Sequence, residues 1–418
     1  MSNQLSSPIP SPFDDPTLVP TLDDDLLSTC PPLNWGIIGC GRVSHDFCMA
    51  VRNHVPTAKL VACATANNNV PNNRSQEFAT KHGFANAYTS YHELVENSEV
   101  DIVYVGNVHS FRRETGEMCL NAGKHVLLEK PFTCTVEDAE YLISLAKEKN
   151  LFLQEGMWTR FFPVVEQARQ IVSQGIIGNI VNVMSDFHFN AADSEIYPSS
   201  FVYQRKLGGG ASLLVAPYPV AHALLFMGSR MPDQIHVVGQ VDTDRTGVDL
   251  QAAMTLRFDA IAEARDTTTN DTDNVNGHTN SPHVRGTGVA TVSYGMLGES
   301  AEITTVVGTK GRLTINSPCH CPTSLTVTVK AFGRGQATET IHYNYPLPKV
   351  IDRKDVPNTP MEYFYPNSAC FCYEAAAIAR CIASGKRCCP QYTLEETMIV
   401  QKILEEARRQ LKVESVYE

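Results

Sequence analysis

Short apolar runs alternate with segments of helical spacing from residue 34 onward, and this alternation constrains the fold more than any other feature. Between the runs, apolar residues recur every three or four positions, as Ala139, Leu142, Ile143 and Ala146 do. Alternating strands and helices predict a parallel sheet with right-handed crossovers. The apolar runs are IIG (37–39), KLVACAT (59–65), DIVYVG (101–106), HVLLE (125–129) and LFLQEG (151–156).

The pattern changes to a two-residue alternation after about residue 178, as in NIVNVMSDFHFN and SLTVTVKAF, which predicts a largely antiparallel sheet. The fold class is therefore α/β, with a doubly wound Rossmann domain over 34–156 and an α+β domain over 157–418. We expect the C-terminal helix to pack back on the first domain. The first-domain helices are predicted over 42–53, 73–82, 110–122 and 135–149.

Two polar stretches are predicted to lack regular structure. Residues 1–33 are rich in Ser, Pro and Asp, with too little apolar surface to order themselves, and are predicted to form a disordered tail. Residues 264–288 are predicted to form a long, flexible hairpin loop between two strands.

Composition excludes several classes of function. The chain has 45 acidic and 34 basic residues, a formal net charge of -11, which argues against a nucleic-acid or anionic-membrane partner. No run approaches 18 apolar residues, and the N-terminus lacks a signal-peptide pattern, so we expect a cytoplasmic protein. The 13 cysteines are scattered, which favours reduced thiols over disulfides.

The stretch GCGRVS (39–44) follows the first predicted strand and opens the first predicted helix. Gly39 allows a tight turn, Gly41 lets the backbone approach a pyrophosphate, and the helix N-terminus at Arg42 and Val43 supplies free N–H groups for that anion. A G-x-G alone also occurs in chance turns. Its place between strand and helix favours a dinucleotide site.

The second strand lacks the acid that usually binds the ribose hydroxyls of NAD, because Ala66 and three asparagines follow it. Arg74 lies just beyond and could pair with a 2′-phosphate, so the sequence favours NADP over NAD. The alternative is that Arg74 is a solvated residue at a helix start.

Lys130 directly follows the strand-like run HVLLE in HVLLEKP (125–131). Ligands of doubly wound sheets bind outside the carboxyl ends of the strands, which is where this lysine is expected. Pro131 would stop the strand and hold Glu129 and Lys130 in one orientation. The simpler alternative is a lysine that begins a surface loop.

These motifs together resemble the glucose-fructose oxidoreductase/inositol dehydrogenase/MocA (Gfo/Idh/MocA) family. Further strings are similar to its NADP-dependent trans-1,2-dihydrobenzene-1,2-diol dehydrogenase/D-xylose 1-dehydrogenase group, and the matches run from about residue 34 to 410. The strings are YVGNVHSFR (104–112), GMWTRFFP (156–163), QGIIGNI (174–180), GTKGRL (308–313), NSPCHCPTSL (316–325) and YEAAAIARCI (373–382).

The resemblance implies hydride transfer between a nicotinamide and a carbon that bears a hydroxyl, on a sugar or a cyclic trans-diol. Lys130 would polarise the reacting oxygen as an ammonium donor, and Tyr218 would take the proton as a phenolate favoured by that lysine. The alternative for Tyr218 is a buried tyrosine in an apolar helix. Leu214 stands where the group has an aspartate, and Ala216 where it has a glycine, so the substrate is expected to differ.

Other site residues are expected from the same resemblance. Trp158 and Phe187 would line the substrate pocket, although aromatic residues on strands usually just pack. The resemblance also implies that the second sheet forms a homodimer face. The cofactor contacts expected beyond the GCGRV stretch are Arg74, Asn107, His109, Glu129, Lys130, Trp158 and Arg160.

Three other interpretations stay open. The Cys-His-Cys string at 319–321 lacks a second spaced pair, so it favours a tight turn and no metal is expected. A same-fold enzyme could act on another sugar through a tightly held nicotinamide. A dinucleotide-binding regulatory protein without turnover is the remaining alternative, and Leu214 and Ala216 make it credible.

Overall fold

We describe the chain from a computed structural model, over residues 27, 29–66, 74–191, 197–259, 287–330, 338–351 and 362–417. Six parallel strands form the first sheet in the order β3-β2-β1-β4-β5-β6. This is the doubly wound order that binds ligands at the carboxyl ends of its strands. The strands are β1 (Leu33–Ile38), β2 (Ala58–Ala64), β3 (Asn86–Tyr88), β4 (Ile102–Val105), β5 (His125–Glu129) and β6 (Leu153–Gly156).

The helices of this domain confirm the four predicted segments to within two residues at each end. Helix α3 was not predicted, because six residues are too few to show helical periodicity. Its N-cap is Ser90, whose hydroxyl accepts a hydrogen bond from the His92 N–H. The helices are α1 (Arg42–His54), α2 (Arg74–His82), α3 (Tyr91–Glu96), α4 (Arg112–Asn121) and α5 (Val136–Glu148).

The second sheet has eight strands in the order β14-β13-β12-β11-β7-β10-β9-β8. Among the described strands, β7 and β10 are the parallel pair and the other neighbours are antiparallel, which confirms the predicted fold class. The strands are β7 (Ile180–His188), β8 (Gln234–Val241), β9 (Asp249–Phe258), β10 (Gly288–Gly295), β11 (Thr304–Gly308), β12 (Gly311–Ile315), β13 (Ser324–Lys330) and β14 (Thr338–Asn344).

Apolar helices cover one face of this sheet. Residues at alternate positions of β9, such as Met254, Leu256 and Phe258, are buried beneath them. The helices of the second domain are α6 (Pro163–Ser173), α7 (Ala211–Leu214), α8 (Pro217–Met227), α9 (Phe371–Ala383) and α10 (Leu394–Leu411).

The C-terminal helix α10 joins the two domains. Glu405 accepts a hydrogen bond from the Val136 N–H at the start of α5, 3.2 Å away. Arg408 donates to the Cys134 carbonyl at 2.7 Å, and Gln410 donates to the Ile235 carbonyl on β8 at 2.8 Å. The helix therefore makes hydrogen bonds to the first domain and to the second sheet.

The two segments predicted to lack structure fall mostly on residues that are not described. Residues 1–26 and 28 of the predicted tail and 264–286 of the predicted loop lie outside the described part of the chain. Cys30, within the predicted tail, is buried, and its thiol contacts the Ala376 carbonyl at 3.8 Å. Gly288, within the predicted loop, begins β10. The predicted boundaries therefore extend into packed residues at both places.

Membrane-spanning potential depends on the length and apolarity of the helices in the described residues. No single helix there is both long and apolar enough to cross a bilayer. The pair 205–214 and 217–227, bent by 46°, reaches that length and composition only when the two are combined. Helix α8, which forms the second half, is buried in the core along nearly its whole length.

Candidate active site

The turn after β1 has the backbone that a pyrophosphate site needs. Gly39 has φ +87°, and a Cβ there would lie 2.8 Å from the Asn107 backbone nitrogen, so only glycine fits. A Cβ on Gly41 would meet no atom within 4 Å. Gly41 caps α1 without a side-chain hydrogen bond, and the first turn contains no acidic residue. The free N–H groups and the open space in front of them fit a bound anion.

The other residues predicted to contact the cofactor near this turn lie at its rim. Arg42 is exposed, with its guanidinium 5.6 Å from the centroid of the Phe364 ring. Val43 is half-buried. Arg74, the first residue of α2, donates a hydrogen bond to the Cys40 carbonyl at 3.2 Å. Arg74 is therefore held against the phosphate turn.

The Glu-Lys-Pro turn at the end of β5 is fixed by buried hydrogen bonds. The Glu129 carboxylate accepts from the Tyr104 hydroxyl at 2.9 Å and from the Lys130 N–H at 3.0 Å. The buried Arg112 guanidinium donates to the carbonyls of Glu129 and Pro131 on either side of the lysine. Sequence reasoning missed this role of Arg112, because nothing in the string NVHSFR shows which carbonyls its side chain reaches.

Lys130 is half-buried at the carboxyl edge of the first sheet. Its ammonium donates to the Leu214 carbonyl at 2.8 Å and lies 4.8 Å from the centroid of the Tyr218 ring. Burial lowers the pKa of Lys130 to about 8, although the Glu129 carboxylate acts in the opposite direction. Lys130 can therefore exchange a proton near neutral pH.

Tyr218, near the start of α8, is buried against Trp158. Its hydroxyl oxygen accepts a hydrogen bond from the indole N–H at 3.0 Å. Burial raises the pKa of Tyr218 well above its usual value, and the Glu129 carboxylate raises it further. The prediction that Lys130 favours a phenolate here is wrong. The ammonium lies over the ring face, and burial removes the water that would stabilise a phenolate, which is the largest effect on this pKa. Tyr218 keeps its proton.

Aromatic side chains form a wall beside this pair. The Phe187 ring stacks on the His320 imidazole at 4.4 Å and lies 5.6 Å from the Tyr218 ring. Trp158 stacks on Phe371 at 4.1 Å. The structure thus brings the predicted residues Trp158, Phe187 and Tyr218 together with Lys130.

His320 is part of this wall although the sequence favoured only a turn there. Its Nδ1 lies 3.2 Å from a Glu302 carboxylate oxygen, and its Nε2 lies 3.4 Å from the Cys321 thiol. Among the described residues, no group of three or more His, Cys, Asp or Glu side chains is arranged to hold a metal ion. No sequence signal linked His320 to Glu302, because the two are brought together by a hydrogen bond between separate loops, from the Cys319 N–H to the Glu302 carbonyl at 2.9 Å.

The residues predicted after β4 also lie at this edge. His109 Nδ1 lies 3.0 Å from the Gly208 carbonyl, and burial lowers its pKa well below the usual value, so the ring is neutral. The Asn107 amide donates to the Thr115 hydroxyl at 2.8 Å. Both side chains are held within the protein, beside the phosphate turn and the Arg112 anchor.

Arg160 does not fit its predicted role as a cofactor ligand. Its guanidinium forms a buried ion pair with Glu396 on α10, and it lies 5.2 Å from the Tyr392 ring centroid. A buried charge paired in this way is not available to a ligand. Arg160 instead anchors the C-terminal helix.

Comparison with known proteins agrees with this geometry. Residues 33–157 match the family model described as "Oxidoreductase family, NAD-binding Rossmann fold". Residues 165–314 match the model of the GFO/IDH/MocA C-terminal domain. The chain belongs to the Gfo/Idh/MocA oxidoreductase family. The resemblance stated from the motifs is therefore confirmed.

Characterised members of the family align over most of the chain. Trans-1,2-dihydrobenzene-1,2-diol dehydrogenase of Danio rerio is 31% identical over 381 residues, covering 91% of this chain and 97% of the relative. The Homo sapiens protein of the same name is 30% identical with the same coverage.

Solved structures share the fold. A 3-ketoreductase from Actinomadura kijaniata, in complex with NADP and TDP-benzene, superimposes with a TM-score of 0.67 at 22% identity, covering 91% of this chain and 98% of that one. Levoglucosan dehydrogenase in complex with NADH gives a TM-score of 0.70 at 18% identity, covering 92% and 98%. At these identities, the comparison supports the two-domain fold alone.

Proposed function

We propose that this chain is an NADP-preferring dehydrogenase that oxidises a hydroxyl of a D-xylose-like sugar or of a cyclic trans-diol. The observation that carries the proposal is the placement of Lys130 over the Tyr218 ring, at the carboxyl edge of the dinucleotide-binding sheet. The similarity to dehydrogenases named for a cyclic diol supports the substrate class. The family model named for NAD binding supports a nicotinamide cofactor.

The residues around the phosphate turn would hold the cofactor. Gly39, Gly41 and the N–H groups at Arg42 and Val43 suit its pyrophosphate. A bound nicotinamide would supply the hydride acceptor for the carbon that bears the hydroxyl. The remaining task, removal of the hydroxyl proton, belongs to side chains of this chain.

The lowered pKa of Lys130 and the raised pKa of Tyr218 support Lys130 instead of Tyr218 for that task. In its neutral form, Lys130 accepts the hydroxyl proton, because its pKa lies at about 8. Tyr218 remains a phenol, and its hydroxyl oxygen already accepts the Trp158 N–H, so its own proton is available to donate to the substrate oxygen. This exchanges the roles that the sequence suggested for the two residues.

The wall formed by Trp158, Phe187, His320 and Tyr218 suits a flat or ring-shaped substrate with an apolar face. Leu214 contributes no carboxylate here, and its carbonyl binds the Lys130 ammonium. A substrate that relies less on a second hydroxyl contact is therefore favoured over a fully hydroxylated sugar.

The preference for NADP depends on Arg74. Its guanidinium is held at the phosphate turn by the Cys40 carbonyl, where it could also pair with a 2′-phosphate. Residues 67–73, which include the asparagines after β2, lie outside the described part of the chain. We propose NADP as the preferred cofactor and NAD as the weaker one.

We also propose that the protein is a cytoplasmic homodimer, with no nucleic-acid or membrane partner. All 13 cysteines lie among the described residues and none of them forms a disulfide, which fits a reducing compartment. The face of the second sheet opposite its helices exposes Met184 and Val238, with 46% and 79% of their surfaces accessible. A second copy packed on this face would bury them. Size-exclusion chromatography with light scattering measures the mass of the protein in solution and so tests for the dimer.

One observation favours a second candidate function. The group's aspartate is replaced by Leu214, so a dinucleotide-binding regulatory protein without turnover would keep the phosphate turn and lose substrate recognition.

The test is reduction of NADP and of NAD by purified protein with D-xylose, D-glucose and a cyclic trans-diol. Turnover with the diol or D-xylose and a lower KM for NADP than for NAD supports the proposal. Dinucleotide binding without oxidation of any substrate in the panel supports the regulatory alternative instead.

A further inference from the structure

A short segment of the second domain crosses over helix α1 of the first domain beside the phosphate turn. We call this segment, residues 362–365, the strap. It lies just before the 3-10 turn and helix that carry Phe371 into the aromatic wall. Nothing in the proposed function uses it, yet its backbone and side chains are held by side chains of α1, the helix that begins at the phosphate turn.

A buried carboxylate anchors the strap. Asp46 lies in the second turn of α1 and is fully buried. One of its oxygens accepts the Phe364 N–H and the other accepts the Tyr365 N–H, each at 2.9 Å. A buried carboxylate needs such partners, because without them its lost hydration is not replaced. The two N–H groups also screen a negative charge close to the helix N-terminus at which a pyrophosphate would bind.

Other contacts fix the strap along the same helix. His45 Nε2 lies 3.2 Å from the Glu362 carbonyl, and His54 Nε2 lies 3.3 Å from the Tyr363 hydroxyl. The Phe364 ring lies 5.6 Å from the Arg42 guanidinium, the first residue of α1. The strap is therefore held against α1 both near the start of the helix, beside the phosphate turn, and at its last residue.

Tyr365 is the strap residue best placed to reach a ligand. It is 45% exposed, and among the described residues its hydroxyl has no hydrogen-bond partner. Its pKa is raised by burial, lowered by Arg42, and raised again by the carboxylates of Asp46 and Glu129. Arg42 belongs to the phosphate turn and Glu129 to the Glu-Lys-Pro turn. The Tyr365 backbone is held on α1, the helix that begins at the phosphate turn, by its N–H bond to Asp46, and its side chain stays partly exposed beside that helix.

We propose that the strap is part of the dinucleotide site, with Tyr365 donating a hydrogen bond to the bound dinucleotide near its pyrophosphate and Asp46 acting as the residue that positions it. The proposal rests on the proposed function, because it takes a nicotinamide dinucleotide as the ligand. A neutral phenol suits this position, since it donates a hydrogen bond to phosphate oxygens.

The test measures dissociation constants for NADPH and NADH by fluorescence titration, without any substrate. Tyr365→Ala changes an exposed side chain and should fold normally. We expect it to raise the dissociation constant about tenfold, as expected for one hydrogen bond to a charged group. Asp46→Asn, which leaves one N–H without an oxygen, should raise it by a similar factor. Tyr141→Ala, an exposed tyrosine on α5, is the control and should have no effect.

The double variant separates positioning from a general structural defect. If Asp46 acts through Tyr365, then Asp46→Asn adds nothing to Tyr365→Ala, and the two effects are not additive. Additive effects would overturn the role of Asp46. An unchanged dissociation constant in Tyr365→Ala would overturn the strap's role even if Asp46→Asn does not fold.

Failure of the proposed function gives a different result. If the wild-type protein binds dinucleotide but oxidises nothing, the dehydrogenase assignment fails while the dissociation constants still decide the strap. If the wild-type protein binds neither dinucleotide, both proposals are overturned.

Discussion

Lys130 is the residue whose state controls the proposed reaction. Its pKa of about 8 reflects burial, and the charged groups that act on it are Glu129, Arg112 and Glu155. Tyr218 lies across its ammonium and stays neutral. The neutral amine is the proton acceptor in oxidation, and the ammonium is the proton donor in reduction.

The first prediction is therefore a pH dependence with opposite signs in the two directions. As the pH rises through about 8, Lys130 loses its proton, so the kcat for oxidation should rise and the kcat for reduction should fall. Initial rates from pH 6 to 10 in both directions measure this. An oxidation rate that falls over the same interval would show that the ammonium form is the active one.

Tyr218→Phe is the second prediction. The variant keeps the ring under Lys130 and loses the hydroxyl that donates to the substrate oxygen. We expect kcat to fall about 10²-fold or more, with the dissociation constant for the dinucleotide unchanged. Steady-state kinetics and a binding titration measure the two quantities. A kcat within twofold of wild type would make Tyr218 a packing residue.

Residue types near the site were predictable from the sequence, but their charge states were not. The positions of Lys130 and Tyr218 followed from motif and resemblance. The pKa directions depend on burial in the folded chain, which no local string records. The same holds for the Trp158 hydrogen bond, which lowers the pKa of Tyr218, and for Arg112, which lowers the pKa of Lys130. Arg160 had a suitable place in the chain, yet its ion pair with Glu396 comes from a helix more than 230 residues away.

At the level of elements, the longer strands and helices of the first domain were predictable because each shows its own period, whereas β3 and α3 are too short to show one. Helix α5 and its N-cap Thr135, whose hydroxyl accepts the Asp138 N–H, follow directly from the sequence. The strap was not predictable, because residues 362–365 show no period and gain their structure from Asp46 and from other side chains of α1.

Strand β6 provides the third prediction. Glu155 is fully buried there, and burial raises its pKa to about 7. Its ordinary value is near 4.5, so the folded state keeps a proton that the unfolded state releases. The free energy of unfolding should therefore fall as the pH rises from about 4.5 to about 7, by a few kcal/mol in order of magnitude.

Glu155→Gln isolates this contribution, because the amide oxygen can still accept the Phe132 N–H and carries no charge. Urea denaturation of both proteins at pH 5 and pH 7 gives the comparison. The variant should gain stability relative to wild type at pH 7 and little at pH 5. An equal difference at the two pH values would contradict the raised pKa.

The whole molecule depends on α10, which contacts both domains. Its first turn carries Glu396, which pairs with the buried Arg160 and accepts the Ser229 hydroxyl at 2.7 Å. The same residue closes a capping box with Thr393. One side chain thus fixes the helix start to the second domain, while Arg408 fixes its end to the first.

The fourth prediction concerns this joint. Glu396→Ala leaves the Arg160 charge buried and unpaired, which should lower the free energy of unfolding by about 3 kcal/mol or more. The exposed neighbour Glu395→Ala, in the same turn, is the matched control and should change it little. Urea denaturation monitored by circular dichroism measures both. Equal stability of the two variants would show that the ion pair contributes nothing.

The central claim, that Lys130 carries the chemistry of a dinucleotide-dependent dehydrogenase, is tested most directly by Lys130→Met. NADP reduction with the best substrate and NADPH binding are measured in parallel, with the exposed Lys402→Met as control. We predict loss of turnover by a factor of about 10³ with binding of NADPH kept within a few fold. A Lys130→Met variant that oxidises substrate at the wild-type rate would contradict the account.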